Sequence, residues 1–163
     1  MTNTDPPLFE PGQFIPVFTL PGADGMPHSP LDYIQRQNLI LLFIHQTSSD
    51  ETRGLLRAFA KGYSQIREEE CSILAISPDT VLTNLHSYAE LHLPFPLLAD
   101  PKGEVFSRYT FWDSSAENLN PCIVLADRSN VLYQYWVAER EVDLPTIEEL
   151  LDSLKYLNML STP

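Results

Sequence analysis

Three short stretches constrain this chain more than any other feature. Residues 38–45 (NLILLFIH), 72–77 (SILAIS) and 122–126 (CIVLA) are apolar at consecutive rather than alternate positions. A strand that is apolar on both faces needs cover on both, as a central strand has in a sheet lying between helices. None of these runs could cross a bilayer, because a spanning helix needs about 20 apolar residues. The chain therefore reads as an α/β protein with its strands inside.

The segments between the strands are consistent with that. Residues 1–10 carry a proline pair and little to bury, so they are expected to be a flexible lead-in to a single domain over residues 11–163. The stretch from Phe14 to Leu20 alternates loosely, and Pro21-Gly22 and Asp24-Gly25 supply turn residues, which predicts an N-terminal β-hairpin. After His45 the chain turns abruptly polar, from Gln46 to Glu51, and then Leu55, Leu56, Phe59, Tyr63 and Ile66 recur at helical spacing. Ser48 and Glu51 stand at capping-box spacing before that helix. Pro78-Asp79-Thr80 opens a second helix, with Val81, Leu82, Leu85 and Ala89 on one face, and Pro94-Phe95-Pro96 ends it. Phe95 to Ala99 reads as a short extended piece, Lys102 to Tyr109 as a short helix and residues 110–120 as a loop.

The turn Asp127–Asn130 joins the third strand to residues 131–137 as an antiparallel hairpin. A last helix spans about residues 145–160 with Ile147, Leu150, Leu151, Leu154 and Leu157 inward, and Thr146 with Glu149 forms a capping box at its start. Strands separated by helices pair in parallel, and the closing hairpin adds antiparallel strands. The expected architecture is a mixed central β-sheet with helices on both faces and an N-terminal β-hairpin, the thioredoxin-like arrangement.

Charge narrows the function classes. With 10 basic against 22 acidic residues the formal net charge is −12, which disfavours nucleic acid and anionic membranes as partners. No Lys or Arg precedes Arg36, so the basic start of a targeting peptide is missing. Two cysteines, Cys71 and Cys122, are too few for a disulfide scaffold. Together these features lead to the expectation of a cytoplasmic protein. His28, His86 and His92 show no metal-ligand spacing, and neither a metal nor a cofactor is expected; His45, ending the central strand, is placed to donate to a bound ligand or to satisfy a local carbonyl.

The strings Phe18-Thr19-Leu20, Asp24-Gly25, Leu31-Asp32-Tyr33, Leu41-Leu42-Phe43, Ile76-Ser77-Pro78-Asp79, Phe95-Pro96-Leu97-Leu98-Ala99-Asp100, Gly103-Glu104-Val105 and Ile123 to Asp127 follow one another along the chain. Taken in that order, they resemble the peroxiredoxin (alkyl hydroperoxide reductase/thiol-specific antioxidant) family. The resemblance covers residues 11 to about 158 and implies a peroxide reductase. That chemistry uses a cysteine in the first turn of the helix after the central strand, in the pattern Pro-x-x-x-(Thr/Ser)-x-x-Cys, and an Arg at a later strand start. Laid on this chain, the Pro falls on His45, the Thr/Ser on Ser49, the Cys on Thr52 and the Arg on Pro121. A threonine hydroxyl stays protonated at neutral pH and has no counterpart of sulfenic acid, so Thr52 cannot take the thiol's role.

Other readings of these residues stay open. The serine and acidic run at 48–51 is either a site remnant or an ordinary helix start. Pro121 is either the cis proline that thioredoxin-like relatives carry before this strand or a trans proline ending a loop. Cys122 is either a reactive thiol or a small apolar residue in a buried strand. Three functions follow: a binding or regulatory module without peroxidase activity, a thiol-dependent antioxidant oxidoreductase using Cys122, or a small-ligand protein whose vacated pocket is lined by His45, Ser49, Thr52 and Pro121. Tyr109, Phe111, Trp112, Tyr133, Tyr135 and Trp136 exceed what a small sheet must bury. With the dimerisation common in the family, they imply a homodimer with Phe111 and Trp112 near its interface.

Overall fold

The computed structural model describes residues 10–115 and 117–161, so all of the expected lead-in except Glu10 lies outside the described residues. The hairpin comes first, as β1 (Leu20–Pro21) and β2 (Pro27–His28). A 3-10 turn at Pro30–Tyr33 leads into β3 (Asn38–Phe43). Then follow α1 (Asp50–Glu68), β4 (Cys71–Ser77), α2 (Val81–Glu90), β5 (Leu97–Ala99) and α3 (Phe106–Tyr109). A small hairpin of β6 (Trp112–Asp113) and β7 (Asn118–Leu119) occupies the stretch expected to be loop. The chain finishes with β8 (Cys122–Ala126), β9 (Leu132–Val137), a 3-10 turn at Glu141–Asp143 and α4 (Ile147–Ser161).

The main sheet has the order β5-β4-β3-β8-β9. Its β3–β4 and β4–β5 pairs are parallel, and its β3–β8 and β8–β9 pairs antiparallel. No residue of β3, β4 or β8 is more than 1% exposed, which is why their sequences lack alternation. Ile40, Leu42, Ile73, Ala75, Ile123 and Leu125 face α1 and α4. Leu39, Leu41, Phe43, Leu74, Ile76 and Val124 pack instead with Ile15, Phe18, Phe106 and Tyr109. Phe43 fixes α3 to the end of β3, its ring stacked on Tyr109 at 4.8 Å and edge-on to Phe106 at 5.1 Å.

Both long helices show why they lie where they do. In α1, Leu56, Phe59 and Ile66 are buried, and Gly62 lets α4 approach so closely that an added Cβ would stand 2.8 Å from Ile147 Cγ2. At the start of α4 the capping box is made: Thr146 N donates to Glu149 Oε1 at 3.1 Å, and Glu149 N donates to Thr146 Oγ1 at 3.3 Å.

Four details differ from the sequence reading. First, α1 is capped by Ser49, whose Oγ accepts from Thr52 N at 3.5 Å, and not by Ser48, which lies in a turn closed by Ser49 N on Gln46 O. Second, His45 lies beyond the strand it was expected to end, since β3 stops at Phe43. Third, α2 is turned over: Val81, Leu82 and Leu85 are exposed, while Asn84 and Ser87 are buried. Polar groups beneath the helix hold it that way, because Asn84 Oδ1 accepts from Ser77 Oγ at 2.6 Å and Ser87 Oγ donates to Thr47 Oγ1 at 2.8 Å. Fourth, Trp112 stands in a β-strand and not in a loop, its ring 5.3 Å from that of Phe106 and over Gly103, where any Cβ would overlap the indole. Phe111 beside it is partly exposed.

Candidate functional site

Sheet topology decides what meets at the end of β3. Because β8 runs antiparallel to β3, Phe43 pairs with Cys122, and Cys122 pairs in turn with Val137 at the end of β9. His45, the start of α1, Pro121 and the chain leaving β9 therefore share one end of the sheet. Ala138 N donates to Pro121 O at 3.1 Å, which directs residues 138–143 back across the first turn of α1.

Glu141 is the centre of what those residues bring. It is buried, and its Oε1 accepts from Thr52 Oγ1 at 2.6 Å and from His45 Nδ1 at 3.3 Å. The other ring nitrogen of His45, Nε2, lies 3.0 Å from Leu119 O. Both partners of the imidazole are acceptors, so the doubly protonated ring satisfies both contacts and the neutral ring only one. The hydrogen bond to Glu141 holds the His45 pKa above its ordinary value of 6.5, against the opposing effect of burial. Glu141 Oε2 is buried without a hydrogen-bond partner.

The same segment is tied to α1 a second time. Glu51 accepts from Val142 N at 3.2 Å and from Arg140 Nη2 at 3.1 Å. These bonds pull the Glu51 pKa down, and the acid sits where the helix macrodipole favours it. On the opposite side of the 46–49 turn, Asp79 Oδ2 accepts from Thr47 N at 2.8 Å and from Thr47 Oγ1 at 2.9 Å. Arg53 donates to Thr47 O and to Glu90. The loop that opens α1 is therefore held between two carboxylates from distant parts of the chain.

Of the positions singled out in the sequence, His45 and Thr52 are joined through Glu141, and Ser49 caps the helix that carries Thr52. Pro121 shares this sheet end, but its hydrogen-bonding group is used on Ala138, and no peptide bond among the described residues is cis. Cys122 is fully buried, and burial pushes its thiol pKa up in spite of the Tyr135 and Thr110 side chains. Cys71 is equally buried and lies at the other end of the sheet, paired with Asn38. Glu141 carried no signal in the sequence, where residues 139–143 (EREVD) fall between the last strand and the last helix and match no motif. Asp79 did carry one, in the Ile76-Ser77-Pro78-Asp79 string.

The chemistry open to this arrangement is limited. Thr52 is fully buried, and its hydroxyl meets a carboxylate directly. A hydroxyl nucleophile is activated by an imidazole that a carboxylate orients, whereas here the carboxylate stands between hydroxyl and imidazole. Arg53 and Arg140 are the guanidinium groups bonded to this end of α1, and both are engaged by carboxylates. Among the described residues no cluster of His, Cys, Asp or Glu could hold a metal ion.

Comparison with known proteins adds three findings. The family model described as the AhpC/TSA family matches residues 11–135. A Coxiella burnetii protein named as a peroxiredoxin bcp is 33% identical over 103 residues, 61% of this chain and 66% of that one. Peroxiredoxin bcp1 of Schizosaccharomyces pombe is 27% identical over 97 residues, 60% of this chain and 50% of the yeast protein. The matched part thus spans between half and two thirds of these curated relatives. Among solved structures, Enterococcus faecalis AhpC superposes with a TM-score of 0.83 over 93% of each chain at 16% identity, a likeness of fold.

Proposed function

Since this chain belongs to the AhpC/TSA family, we propose that it keeps the family's scaffold as a binding or regulatory module and does not run thiol peroxidase chemistry. Support comes chiefly from Thr52. The resemblance aligns it with the attacking cysteine, and its hydroxyl is buried against Glu141. An oxygen nucleophile cannot pass through a sulfenic acid. The two cysteines of the chain are buried, with thiol pKa values pushed up, the opposite of what a reactive thiol needs. In this reading His45, Ser49, Thr52 and Pro121 are the remodelled positions of the site, and Glu141 fills the space they leave.

The test is peroxide consumption by the purified protein with thioredoxin or glutathione as reductant. The expected rate equals the background without protein. Turnover above background that disappears in a Cys122→Ala variant would replace this reading with an oxidoreductase built on Cys122.

A further inference from the structure

We propose that residues Arg140–Asp143 are a pH-sensitive latch, closed over the first turn of α1 by a protonated His45 and released when that proton is lost. The geometry consists of two ties. Glu51 holds the strap by Val142 N and the Arg140 side chain, an exposed contact of the kind that contributes little. Glu141 holds it from beneath, buried, with Thr52 and His45 on one oxygen and no partner on the other. A buried carboxylate short of hydrogen bonds is tolerated only with a counter-charge beside it, and His45, when protonated, is the cation bonded to it.

Deprotonation removes that support in two ways. The neutral ring keeps one N–H, so a lone pair must face either Glu141 Oε1 or Leu119 O. In either tautomer Glu141 loses its counter-charge, and in the Nε2–H tautomer it keeps only the bond from the Thr52 hydroxyl. The charged groups that act on His45 are Glu141 of the strap and Glu51 of α1, the carboxylate that also holds Arg140, and Glu148 of α4 lines the same cleft as Glu141. Glu141 and Glu51 raise the His45 pKa, so the stabilisation is complete below the ordinary value of 6.5 and is lost as pH rises through the higher, folded-state value. Release would uncover Thr52, Glu141 and the amide groups of the first turn, whatever the site binds.

Hydrogen exchange of the Val142 and Leu144 amides in the intact protein, corrected for the intrinsic pH dependence of exchange, tests this. Protection is expected to fall about tenfold or more between pH 6 and pH 8.5, while amides of β8 stay unchanged. In His45→Gln the same amides should be weakly protected at every pH. Should that variant fail to fold, the wild-type NMR titration decides: the His45 ring and the Val142 amide must shift with one midpoint above 6.5. Protection of the strap that does not vary with pH, the same pH dependence in His45→Gln, or separate midpoints would each overturn the proposal.

Discussion

Helices α1 and α2 carry similar apolar repeats and use them in opposite ways. In α1 the repeat is the buried face: Leu56, Phe59 and Ile66 lie under the helix, and the charged residues lie outside. In α2 Val81, Leu82 and Leu85 lie outside, and the residues beneath are Asn84 and Ser87. What differs is the surface each helix covers. Below α1 are the aliphatic side chains of β3, β4 and β8. Below α2, near the end of β4, are hydroxyl groups of Ser77 and Thr47, which are buried and need partners. Periodicity shows that a helix has two unlike faces; the ground it lands on decides which one is inside.

Three substitutions measure that contrast by urea denaturation. Phe59→Ala, in the buried stripe of α1, should cost about 3–5 kcal/mol, the usual range for emptying a core aromatic site. A loss below about 1 kcal/mol would mean that α1 does not rest on the sheet as described. Asn84→Ala, on the inner face of α2, should cost about 1–3 kcal/mol by leaving the buried Ser77 O–H without an acceptor, although Asp79 N still donates to its oxygen. Neutrality there would show that the polar layer does not orient α2. Leu82→Gln, which trades one good helix former for another on a side chain 66% exposed, should change stability by no more than about 0.5 kcal/mol. A core-sized loss at Leu82 would restore α2 to the ordinary orientation.

The parts of this molecule that were legible in its sequence share a physical cause. β3, β4 and β8 are recognisable because cover on both faces confines polar residues to the strand ends, at Asn38, Ser72 and Ser77. The start of α4 is recognisable because the Thr146–Glu149 box is local, its partners three residues apart. Parallel pairing with β4 and antiparallel pairing with β8 put Cys71 and Cys122 at opposite ends of the sheet, since β3 pairs with Cys71 at Asn38 and with Cys122 at Phe43. What escaped was non-local or finely balanced. Glu141 meets Thr52 across 89 positions and His45 across 96, and an acid inside EREVD is indistinguishable from its solvated neighbours. Ser48 and Ser49 are equally good caps by composition, and the choice between them follows from the Gln46–Ser49 turn. Trp112, in a stretch read as loop, is placed by Gly103, whose φ of +69° and missing Cβ open the space its indole fills.

The outward face of α2 also has a colloidal consequence. Between Thr80 and Ala89 the helix has no Asp, Glu, Lys or Arg, so Val81, Leu82 and Leu85 form an adhesive strip on a chain whose net charge is −12. Like-charged copies repel over roughly 10 Å at 0.1 M salt, and the range contracts to about 3 Å at 1 M. At low ionic strength the excess of carboxylates keeps such strips from meeting. Raising the salt, or acidifying far enough to neutralise the carboxylates, strips away that barrier while the apolar contact keeps its strength. Light scattering from concentrated solutions is thus expected to rise with added salt or acid before native structure is lost.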